Sequence, residues 1–344
     1  MNNVVLPAEW APQSAIMLTW PHRETDWAPL LPDVERVYRD LAREIGLRQK
    51  LIISCQDARL LPRIRESLLA DGVAEENFTL YEVPADDTWA RDHGPITVYQ
   101  DQRPVLLNFR FNAWGGKFGA SKDDQINRAL KQQGAFGPTE MADIDFILEG
   151  GSIESDGVGT LLTTAGCLLT DTRNSEQSQQ DIEATLQRLL GVERVLWLHH
   201  GHLEGDDTDS HVDTLARFCD AQTISYVRCE DTSDPHYSAL KAMEDELKAF
   251  RQVQGEPYRL VPLPMPTAQY SAEGERLPAT YANFLIMNQA VLVPTYGVPE
   301  DAPALAALAT CFPDREIVGI DCRPLIEQHG SLHCVTMQIP AGVL

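Results

Sequence analysis

A thiol near the end of the chain is the first group that could do covalent chemistry. Cys334 lies in HGSLHCVTMQIP, residues 329–340, directly after His333. A thiolate is a nucleophile and a metal ligand, but a free cysteine is also one of the most frequently buried residue types. HCVTMQI is typical of a strand, in which the side chains of His333 and Cys334 would point to opposite faces. A nucleophilic Cys334 therefore needs a proton-handling partner from elsewhere in the sequence.

The stretch LWLHHGHLEGDDTDSHVDTLARF, residues 196–218, supplies candidates for that partner. It contains four histidines and five acids: His199, His200, His202, His211, Glu204, Asp206, Asp207, Asp209 and Asp213. Such side chains can bind zinc or iron, but their spacing does not match H-E-x-x-H, and the glycines and aspartates disfavour a helix that would align them. If residues 211–213 are extended, His211 and Asp213 face the same ligand. His211 is therefore the candidate proton carrier.

Two further stretches place acids at the ends of predicted strands. In DDTWARDHGP, residues 86–95, Trp89 and Asp92 flank Arg91 before a Gly-Pro turn. In FILEGGSIES, residues 146–155, Glu149 ends an apolar run directly before two glycines, which suits close approach of a ligand. Taken singly, a surface pair of Arg91 with Asp92 and a solvated Glu149 beside a glycine hairpin remain open alternatives.

Acids, a thiol and an imidazole together suit attack on a guanidinium group. Carboxylates accept paired hydrogen bonds from this planar cation. A thiolate can add to its central carbon, and an imidazole can protonate the departing nitrogen as ammonia. The thiol needs activation, because a pKa of about 8.5 leaves it mostly protonated at neutral pH.

The elements that must position these groups alternate between strands and helices. Short runs rich in β-branched and aromatic residues predict strands at AIMLTW, LIIS, FTLYEV, PVLLNFRF, GTLLTT, RVLWL, TISYV, FLIMN, AVLVPTY, EIVGI and HCVTMQI. Apolar spacing predicts helices that start near Asp33, Asp57, Lys122, Ser175, His236 and Ala302. The last four starts are 53, 61 and 66 residues apart, which indicates about five repeats of strands plus one helix. We predict one α/β domain over residues 1–344 with internal pseudo-repeats; a two-domain α/β chain is the alternative.

Composition narrows the class of protein. The 51 acids and 28 bases leave a net charge of −23, which disfavours nucleic acid and anionic membranes and attracts a cationic small molecule. The seven cysteines form no C-x-x-C pair and are odd in number, which argues against a disulfide framework and a classical zinc motif. MNNVVLPAEW does not have the pattern of a signal peptide, and no apolar run reaches the roughly 20 residues of a membrane span. The predicted location is the cytoplasm.

The four stretches, in this order, resemble the agmatine deiminase family. This branch of the guanidino-modifying superfamily includes bacterial peptidylarginine-type deiminases. The resemblance covers essentially the whole chain, through TWPHRETDW, WARDHGP, NFRFNAWGGK, LEGGSIESDGVGTLLTT, HVDTLARF and LHCVT. It implies a five-bladed pseudo-symmetric α/β propeller of the pentein type. It also implies hydrolysis of a guanidino group to a ureido group and ammonia, without a metal or organic cofactor.

The same resemblance implies roles for individual residues. Cys334 matches the nucleophile that forms a covalent amidino-cysteine intermediate, and His211 matches the acid for leaving ammonia and the base for water. Asp92 and Asp213 match the acids that hold the guanidinium, and Glu149 matches the acid beside the histidine and substrate. The remaining candidates for binding substrate are Trp89, Trp114 and Asp206.

Four departures from the family pattern concern the distal end of the substrate. Their positions are His329–Leu332 before the nucleophile, Asp209-Ser210 where Asn-Gly is usual, Glu154 where histidine is usual, and Ala165-Gly166 where an acidic pair is usual. The leading hypothesis is hydrolysis of agmatine to N-carbamoylputrescine, within polyamine (putrescine) metabolism. A deiminase of free or peptidyl arginine, a metal-dependent amidohydrolase and a non-catalytic polyamine or guanidine binder are the alternatives. A homo-oligomer and a contribution of His333 to catalysis remain open.

Overall fold

The computed structural model describes residues 4–344. Residues 1–3 lie outside the described residues. They belong to MNNVVLPAEW, the segment for which no signal peptide is predicted. The described chain divides into two compact units. The first unit comprises Val4, Ala11–Gly150 and His333–Leu344, and the second comprises Val5–Trp10 and Gly151–Leu332.

The first unit contains two sheets. One has the order Thr336–Pro340, Gln13–Thr19, Lys50–Cys55 and Phe78–Glu82, in which the first pair is antiparallel and the others are parallel. The other contains Ile96–Gln100, Arg103–Arg110 and Glu140–Ile147, again with an antiparallel and then a parallel pair. The helices and 3₁₀ turns are Leu31–Gly46, Leu60–Ala70, Glu75–Asn77, Ala90–His93, Ala113–Gly116, Asp123–Gln125 and Ile126–Gln132.

The second unit repeats this strand arrangement three times. Its three-stranded sheets are Ile153–Ser155, Thr160–Thr164 and Arg194–Leu198; Ala216–Asp220, Thr223–Arg228 and Arg259–Pro264; and Leu285–Met287, Ala290–Thr295 and Glu316–Asp321. Gln269–Tyr270 and Arg276–Leu277 form a small separate ladder. The helices and 3₁₀ turns are Gly150–Ser152, whose first residue is the last of the segment Ala11–Gly150, and Ala165–Leu168, Gln179–Leu190, Val212–Thr214, Tyr237–Ala249, Asp301–Cys311 and Arg323–Ile326.

Each of the five larger sheets combines an antiparallel pair with a parallel strand that is reached through a helix. The crossover helices are Leu31–Gly46, Leu60–Ala70, Ile126–Gln132, Gln179–Leu190, Tyr237–Ala249 and Asp301–Cys311; the first two belong to the sheet that contains two parallel pairs. Parallel neighbours require such a crossover, because a short turn cannot return the chain in the same direction. The predicted mixed α/β class is confirmed, and the predicted periodicity reflects these five similar sheets. The prediction of one domain over residues 1–344 stays a prediction.

Local sequence explains where the helices begin and end. In Leu31–Gly46, Pro32 occupies the first turn, and the apolar residues Val34, Val37, Tyr38, Leu41 and Ile45, which are three or four residues apart, form one buried face. Gln179–Leu190 begins with a capping box between Ser178 and Asp181 and ends at Gly191, whose φ of 67° is left-handed. Within residues 4–344, no helix is both long and apolar enough to cross a bilayer.

The core of the first unit draws on both of its sheets and on one crossover helix. Its buried members are Ala15, Met17, Ile52, Val83, Ala85, Leu106, Ile126, Leu130, Ala135, Phe136, Met337, Ile339 and Val343. Met337 and Ile339 alternate along the strand that begins two residues after Cys334, as expected for one buried face. The C-terminal strand is thereby anchored, and it holds the segment that carries the thiol.

Two local expectations are wrong. Cys334 lies in a turn over residues 332–335, and the strand begins only at Thr336. Both the backbone N–H and the hydroxyl of Thr336 donate to the carbonyl of His333, at 3.0 Å each, which closes this turn. His211 likewise precedes a 3₁₀ turn, Val212–Thr214, and does not belong to an extended run. The alternation of strand side chains therefore does not determine the directions of these groups.

Candidate active site

Cys334 is anchored by the backbone of the WARDHGP segment. Its side chain is almost fully buried, with 4% of the residue exposed. The backbone N–H of Arg91 donates to the carbonyl of Cys334 at 3.0 Å, and the Arg91 side chain donates to Gln338 Oε1 at 2.5 Å. Arg91 is itself buried, so a surface pair of Arg91 with Asp92 is wrong. Arg91 instead joins the segment that carries Asp92 to the segment that carries the thiol.

Two glycines permit this close packing. A Cβ atom on Gly94 would overlap the carbonyl oxygen of Ala90, and a Cβ atom on Gly150 would overlap the carbonyl oxygen of Arg91. Both would also approach Met337, to 2.8 Å. Close approach of two backbones requires a residue without a side chain. The close packing thus holds three segments together: WARDHGP, Glu149-Gly150 and the C-terminal strand. This packing accounts for the glycine at position 150 better than a solvated hairpin does.

Asp92 accepts a hydrogen bond from a tryptophan. The indole Nε1 of Trp114 donates to Asp92 Oδ2 at 2.9 Å, and both residues are buried. Ala113 and Trp114 have φ values of 51° and 55°, in the left-handed region that residues with a Cβ atom rarely adopt. Asn112 stabilises this conformation, since its side chain accepts the N–H of Gly115 at 2.9 Å. The strained turn aims the indole at the carboxylate.

Trp89 lies in a cluster of aromatic rings. Its centroid is 6.3 Å from that of Trp114 and 5.6 Å from that of Trp27. The Trp27 indole donates to Asp87 Oδ1 at 2.9 Å and to Thr88 Oγ1 at 3.0 Å, which fixes the residues directly before Trp89. Trp27 was not among the predicted site residues, although its position at the end of TWPHRETDW was the available signal.

Buried acids support the same loop. Asp123 accepts the backbone N–H of Asp86 at 2.7 Å and that of Asp87 at 3.1 Å. Burial, opposed in part by these hydrogen bonds, raises the pKa of Asp123 to about 7. Burial also raises the pKa of Asp87 above its ordinary value. The start of the WARDHGP segment therefore depends on carboxyl groups that titrate above their usual range.

His93 is a structural histidine in this segment. Its Nε2 lies 3.2 Å from Thr19 Oγ1, and its carbonyl accepts from Asn127 Nδ2 at 2.6 Å. Complete burial lowers the pKa of His93 to about 3, so the ring is neutral at physiological pH. A neutral ring in a fixed pose helps to hold the short helix Ala90–His93 that carries Asp92.

Glu149 is fully buried, with 0% exposure, between the strand Glu140–Ile147 and Gly150. The backbone hydrogen bond from Leu148 to the carbonyl of Arg110, at 3.4 Å, holds the preceding residue. Within the first unit, the structure thus places Cys334, Asp92 and Glu149 on segments that pack directly on one another through Arg91 and Gly150. Trp89 and Trp114 belong to the same assembly.

In the second unit, His211 is held at the start of a 3₁₀ turn. It is 1% exposed, and its backbone N–H donates to Thr208 Oγ1 at 3.1 Å. Its carbonyl accepts from the Thr214 hydroxyl at 2.8 Å. Asp213 is 0% exposed, and its carbonyl accepts from Asn283 Nδ2 at 3.4 Å. The turn buries the imidazole and the carboxylate without a strand.

Asp206 shapes the loop before His211. Its Oδ1 accepts the Thr208 hydroxyl at 2.5 Å, and its Oδ2 accepts the Ser210 N–H at 2.7 Å. Both carboxylate oxygens therefore already have partners within the loop. Binding of substrate by Asp206 stays a prediction.

The second unit also contains a buried guanidinium of its own. Arg217 donates to Glu154 and, at 2.9 Å, to Glu9, and its guanidinium carbon lies 4.6 Å from the ring centroid of Phe284. Its Nη1 donates to the carbonyl of Phe284 at 2.6 Å. Burial, only partly offset by Arg217, raises the pKa of Glu154 to about 7. Glu154, which departs from the family pattern, thus has a defined internal partner.

Comparison with known proteins places this chain among deiminases. Residues 5–340 match the family model of the Porphyromonas-type peptidyl-arginine deiminase. The agmatine deiminase of Pseudomonas aeruginosa (strain LESB58) is 34% identical over 361 residues, which cover 98% of this chain and 95% of that protein.

Solved structures agree over the same length. An agmatine deiminase of C. jejuni, solved as a cysteine-to-serine variant with substrate bound, is 36% identical with a TM-score of 0.91, covering 98% of this chain and 96% of that one. A Porphyromonas gingivalis protein with a provisional arginine deiminase name is 52% identical with a TM-score of 0.92, covering 98% and 99%. A family match over nearly the whole chain shows membership: the protein belongs to the Porphyromonas-type peptidyl-arginine deiminase family.

Proposed function

We propose that this protein is an agmatine deiminase, which hydrolyses the guanidino group of agmatine to N-carbamoylputrescine and ammonia. The observation that carries the proposal is the buried Cys334 on a segment packed against those of Asp92 and Glu149. This arrangement occurs in a chain similar over 98% of its length to agmatine deiminases. A thiol beside carboxylates suits a substrate that brings its own positive charge, because that charge offsets the carboxylates' tendency to raise a thiol pKa.

The first half of the reaction uses Cys334 as the nucleophile. Asp92, oriented by the indole of Trp114, and Asp213 hold the guanidinium through paired hydrogen bonds. The thiolate adds to the central carbon, and His211 protonates one amino nitrogen. The carbon–nitrogen bond then breaks, ammonia leaves, and an amidino group remains attached to sulfur.

The second half hydrolyses this intermediate. His211, now neutral, accepts a proton from water, and the water oxygen adds to the carbon that sulfur holds. Cleavage of the carbon–sulfur bond returns the thiolate and releases the ureido product. Glu149 holds the amino groups of the substrate during both steps. Overall, guanidinium and water yield the ureido compound and ammonium, with no change of oxidation state.

Several finer points of the proposal rest on the five similar sheets and on the resemblance. The five sheets support a five-bladed pseudo-symmetric propeller in one deiminase domain. Substrate contacts of Trp89, Trp114 and Asp206, a cytoplasmic location and a place in polyamine metabolism stay predictions. The reaction as written has no step that uses a metal ion.

Deimination of free or peptidyl arginine is the second candidate. The family description and the provisional name of the 52% identical Porphyromonas gingivalis protein favour it. The chemistry at the guanidinium is the same in both cases, so the difference lies at the distal end of the substrate. There agmatine carries an ammonium, and arginine adds a carboxylate. The net charge of −23 favours the dication agmatine.

The decisive experiment measures ammonia and ureido product from agmatine, free arginine and an arginine peptide in parallel. Each reaction is run with and without a metal chelator, and Cys334→Ser serves as the matched inactive protein. Turnover of agmatine alone supports the proposal, and turnover of arginine or the peptide supports the second candidate. Loss of activity on chelation would revive a metal-dependent amidohydrolase, and binding of agmatine without product would indicate a guanidine-binding protein.

A further inference from the structure

The two residues before His211 have a backbone conformation that their side chains disfavour. Asp209 and Ser210 both have a φ of 68°, in the left-handed region. A residue with a Cβ atom rarely adopts this conformation, and serine less readily than aspartate. Two such residues in succession form the geometry that Asn-Gly adopts most readily in tight turns. Other contacts must therefore hold the Asp209-Ser210 turn in this chain.

Arg173 provides two of these contacts. Its side chain has no exposed surface. Its Nη1 donates to Asp209 Oδ2 at 2.7 Å, and its Nη2 donates to the carbonyl of Thr208 at 2.9 Å. The planar guanidinium can hold both oxygens at once because its donors diverge in fixed directions. A side chain and the adjacent backbone of the turn are thus bound by one rigid group.

The other contacts fix Ser210 from two sides. The carboxylate of Asp206 accepts the Ser210 N–H at 2.7 Å, and the Thr164 hydroxyl donates to the Ser210 carbonyl at 2.8 Å. A Cβ atom on Gly166 would lie 3.3 Å from the carbonyl oxygen of Asp209, so a glycine at this position makes room for the turn. In this network Arg173 is the member that binds Asp209 and Thr208 directly.

His211 follows this turn without an intervening residue. Its backbone N–H donates to the hydroxyl of Thr208, the residue whose carbonyl Arg173 holds. A change in the turn therefore rotates the backbone at His211 and displaces the imidazole. Displacement by about 1 Å can cost about 100-fold in rate, because proton transfer requires close alignment.

We propose that Arg173 is a positioning residue for His211, which acts by holding the Asp209-Ser210 turn. The inference rests on the proposed function, in which His211 moves protons. It assigns Arg173 no contact with substrate. Loss of Arg173 consequently lowers kcat and leaves KM near its original value, since Asp92 and Glu149, which also hold the substrate in the proposed reaction, lie on other segments of the chain.

The test combines the loss of Arg173 with a turn that does not need it. Arg173→Met should lower kcat by about 10- to 100-fold, with KM changed by less than about threefold. Adding Asp209→Asn and Ser210→Gly to Arg173→Met should restore most of the lost kcat, because Asn-Gly adopts the turn without the guanidinium. Arg39→Met is the matched control. It removes another arginine–aspartate pair, with Asp71 at 2.5 Å, and should leave kcat unchanged.

The pH profile of kcat separates positioning from general loss of structure. A displaced imidazole changes its surroundings, so the apparent pKa in the profile of Arg173→Met should shift, and the Asn-Gly turn should reverse the shift. Wild-type kcat in folded Arg173→Met overturns the inference, as does a loss confined to KM or a failure of the Asn-Gly turn to restore kcat. If Arg173→Met does not fold, the same measurements on Arg173→Lys decide, because lysine keeps the charge but cannot hold both oxygens.

This result is distinguishable from failure of the proposed function. If wild-type protein releases no ammonia from any guanidino substrate, or if His211→Gln has normal kinetics, the function itself is wrong. An active wild type with an inactive His211→Gln and a fully active Arg173→Met refutes only the positioning role.

Discussion

The indole N–H of Trp114 points at Oδ2 of Asp92 at 2.9 Å, from a backbone held in the left-handed region at φ 55°. A hydrogen bond to a charged carboxylate is stronger than one between neutral groups. The bond therefore fixes the orientation of the Asp92 carboxylate.

Trp114→Phe tests this relationship, since it keeps an aromatic ring and removes the donor. We expect KM for agmatine to rise by about tenfold or more, as a lost hydrogen bond to a charged group costs about 1.5–3 kcal/mol. Steady-state kinetics with agmatine measure the effect. Phe118→Leu is the control. It removes a ring whose centroid lies 5.8 Å from that of Trp114, but it removes no hydrogen-bond donor. An unchanged KM in Trp114→Phe would show that the indole does not orient Asp92 for substrate.

Cys334→Ala should abolish turnover and leave the fold intact. The reason is that no other group in the proposed mechanism can form the bond to carbon. Ammonia release measures activity, and circular dichroism measures folding. Cys55→Ala is the control, because burial raises the pKa of that thiol to about 12 and makes it unreactive. Full activity of Cys334→Ala would show that the reaction does not proceed through a covalent bond to Cys334.

His211→Gln should retain bound substrate or accumulate a slow covalent adduct, because glutamine cannot deliver or accept the proton. Rapid quenching followed by intact-protein mass spectrometry detects an amidino group on the protein. His199→Gln, at an exposed histidine of the same stretch, is the control and should behave as wild type. Normal kinetics of His211→Gln would transfer the proton-carrying role to another histidine, with His333 next in line.

Asp123→Asn should change how stability depends on pH. The folded pKa of about 7 lies above the ordinary value of 3.8, so the folded state binds more protons in this range. The free energy of unfolding therefore falls as pH rises from about 4 to about 7. Asparagine has no proton to lose, and its Oδ1 can accept the same backbone N–H groups.

Urea unfolding at pH 5 and pH 8 measures this effect. At pH 8 the variant should be more stable than wild type by on the order of 2–4 kcal/mol, and at pH 5 this advantage should be smaller, because most of the fall in wild-type stability occurs between pH 5 and pH 7. Glu35→Gln, at an acid on the helix Leu31–Gly46, is a control that should keep the wild-type dependence. Equal stability of Asp123→Asn and wild type at pH 8 would contradict a raised pKa.

Arg217→Met should destabilise the protein by about 3–5 kcal/mol, because it leaves the buried carboxylates of Glu9 and Glu154 without their cation. Urea unfolding gives the magnitude. Adding Glu9→Gln and Glu154→Gln to Arg217→Met should recover part of the loss, since neutral amides cost less to bury. If the triple variant is less stable than Arg217→Met alone, the penalty does not arise from unpaired charge.

Strand and helix positions could largely be predicted from the sequence. LIIS and RVLWL were predicted as strands and lie in Lys50–Cys55 and Arg194–Leu198, because apolar runs between turn residues are a local signal. The apolar face of Leu31–Gly46 likewise follows from its periodicity. Glu140–Ile147 was missed, since its sequence EMADIDFI carries three acids and is only partly buried.

The motifs in the sequence identify the groups that can do chemistry and the family to which the chain belongs. The way in which those groups are held depends on contacts that form when the chain folds. Cys334 lies in a turn that is closed by the hydroxyl of Thr336. His211 lies beside a turn that is held by Thr208 and Arg173. The alternation of apolar residues along a strand does not predict either turn. The positive φ values at Trp114 and Ser210 also could not be predicted from local sequence, because residues with a Cβ atom rarely adopt them. Such conformations persist because many contacts hold them at once, and those contacts exist only after the chain has folded.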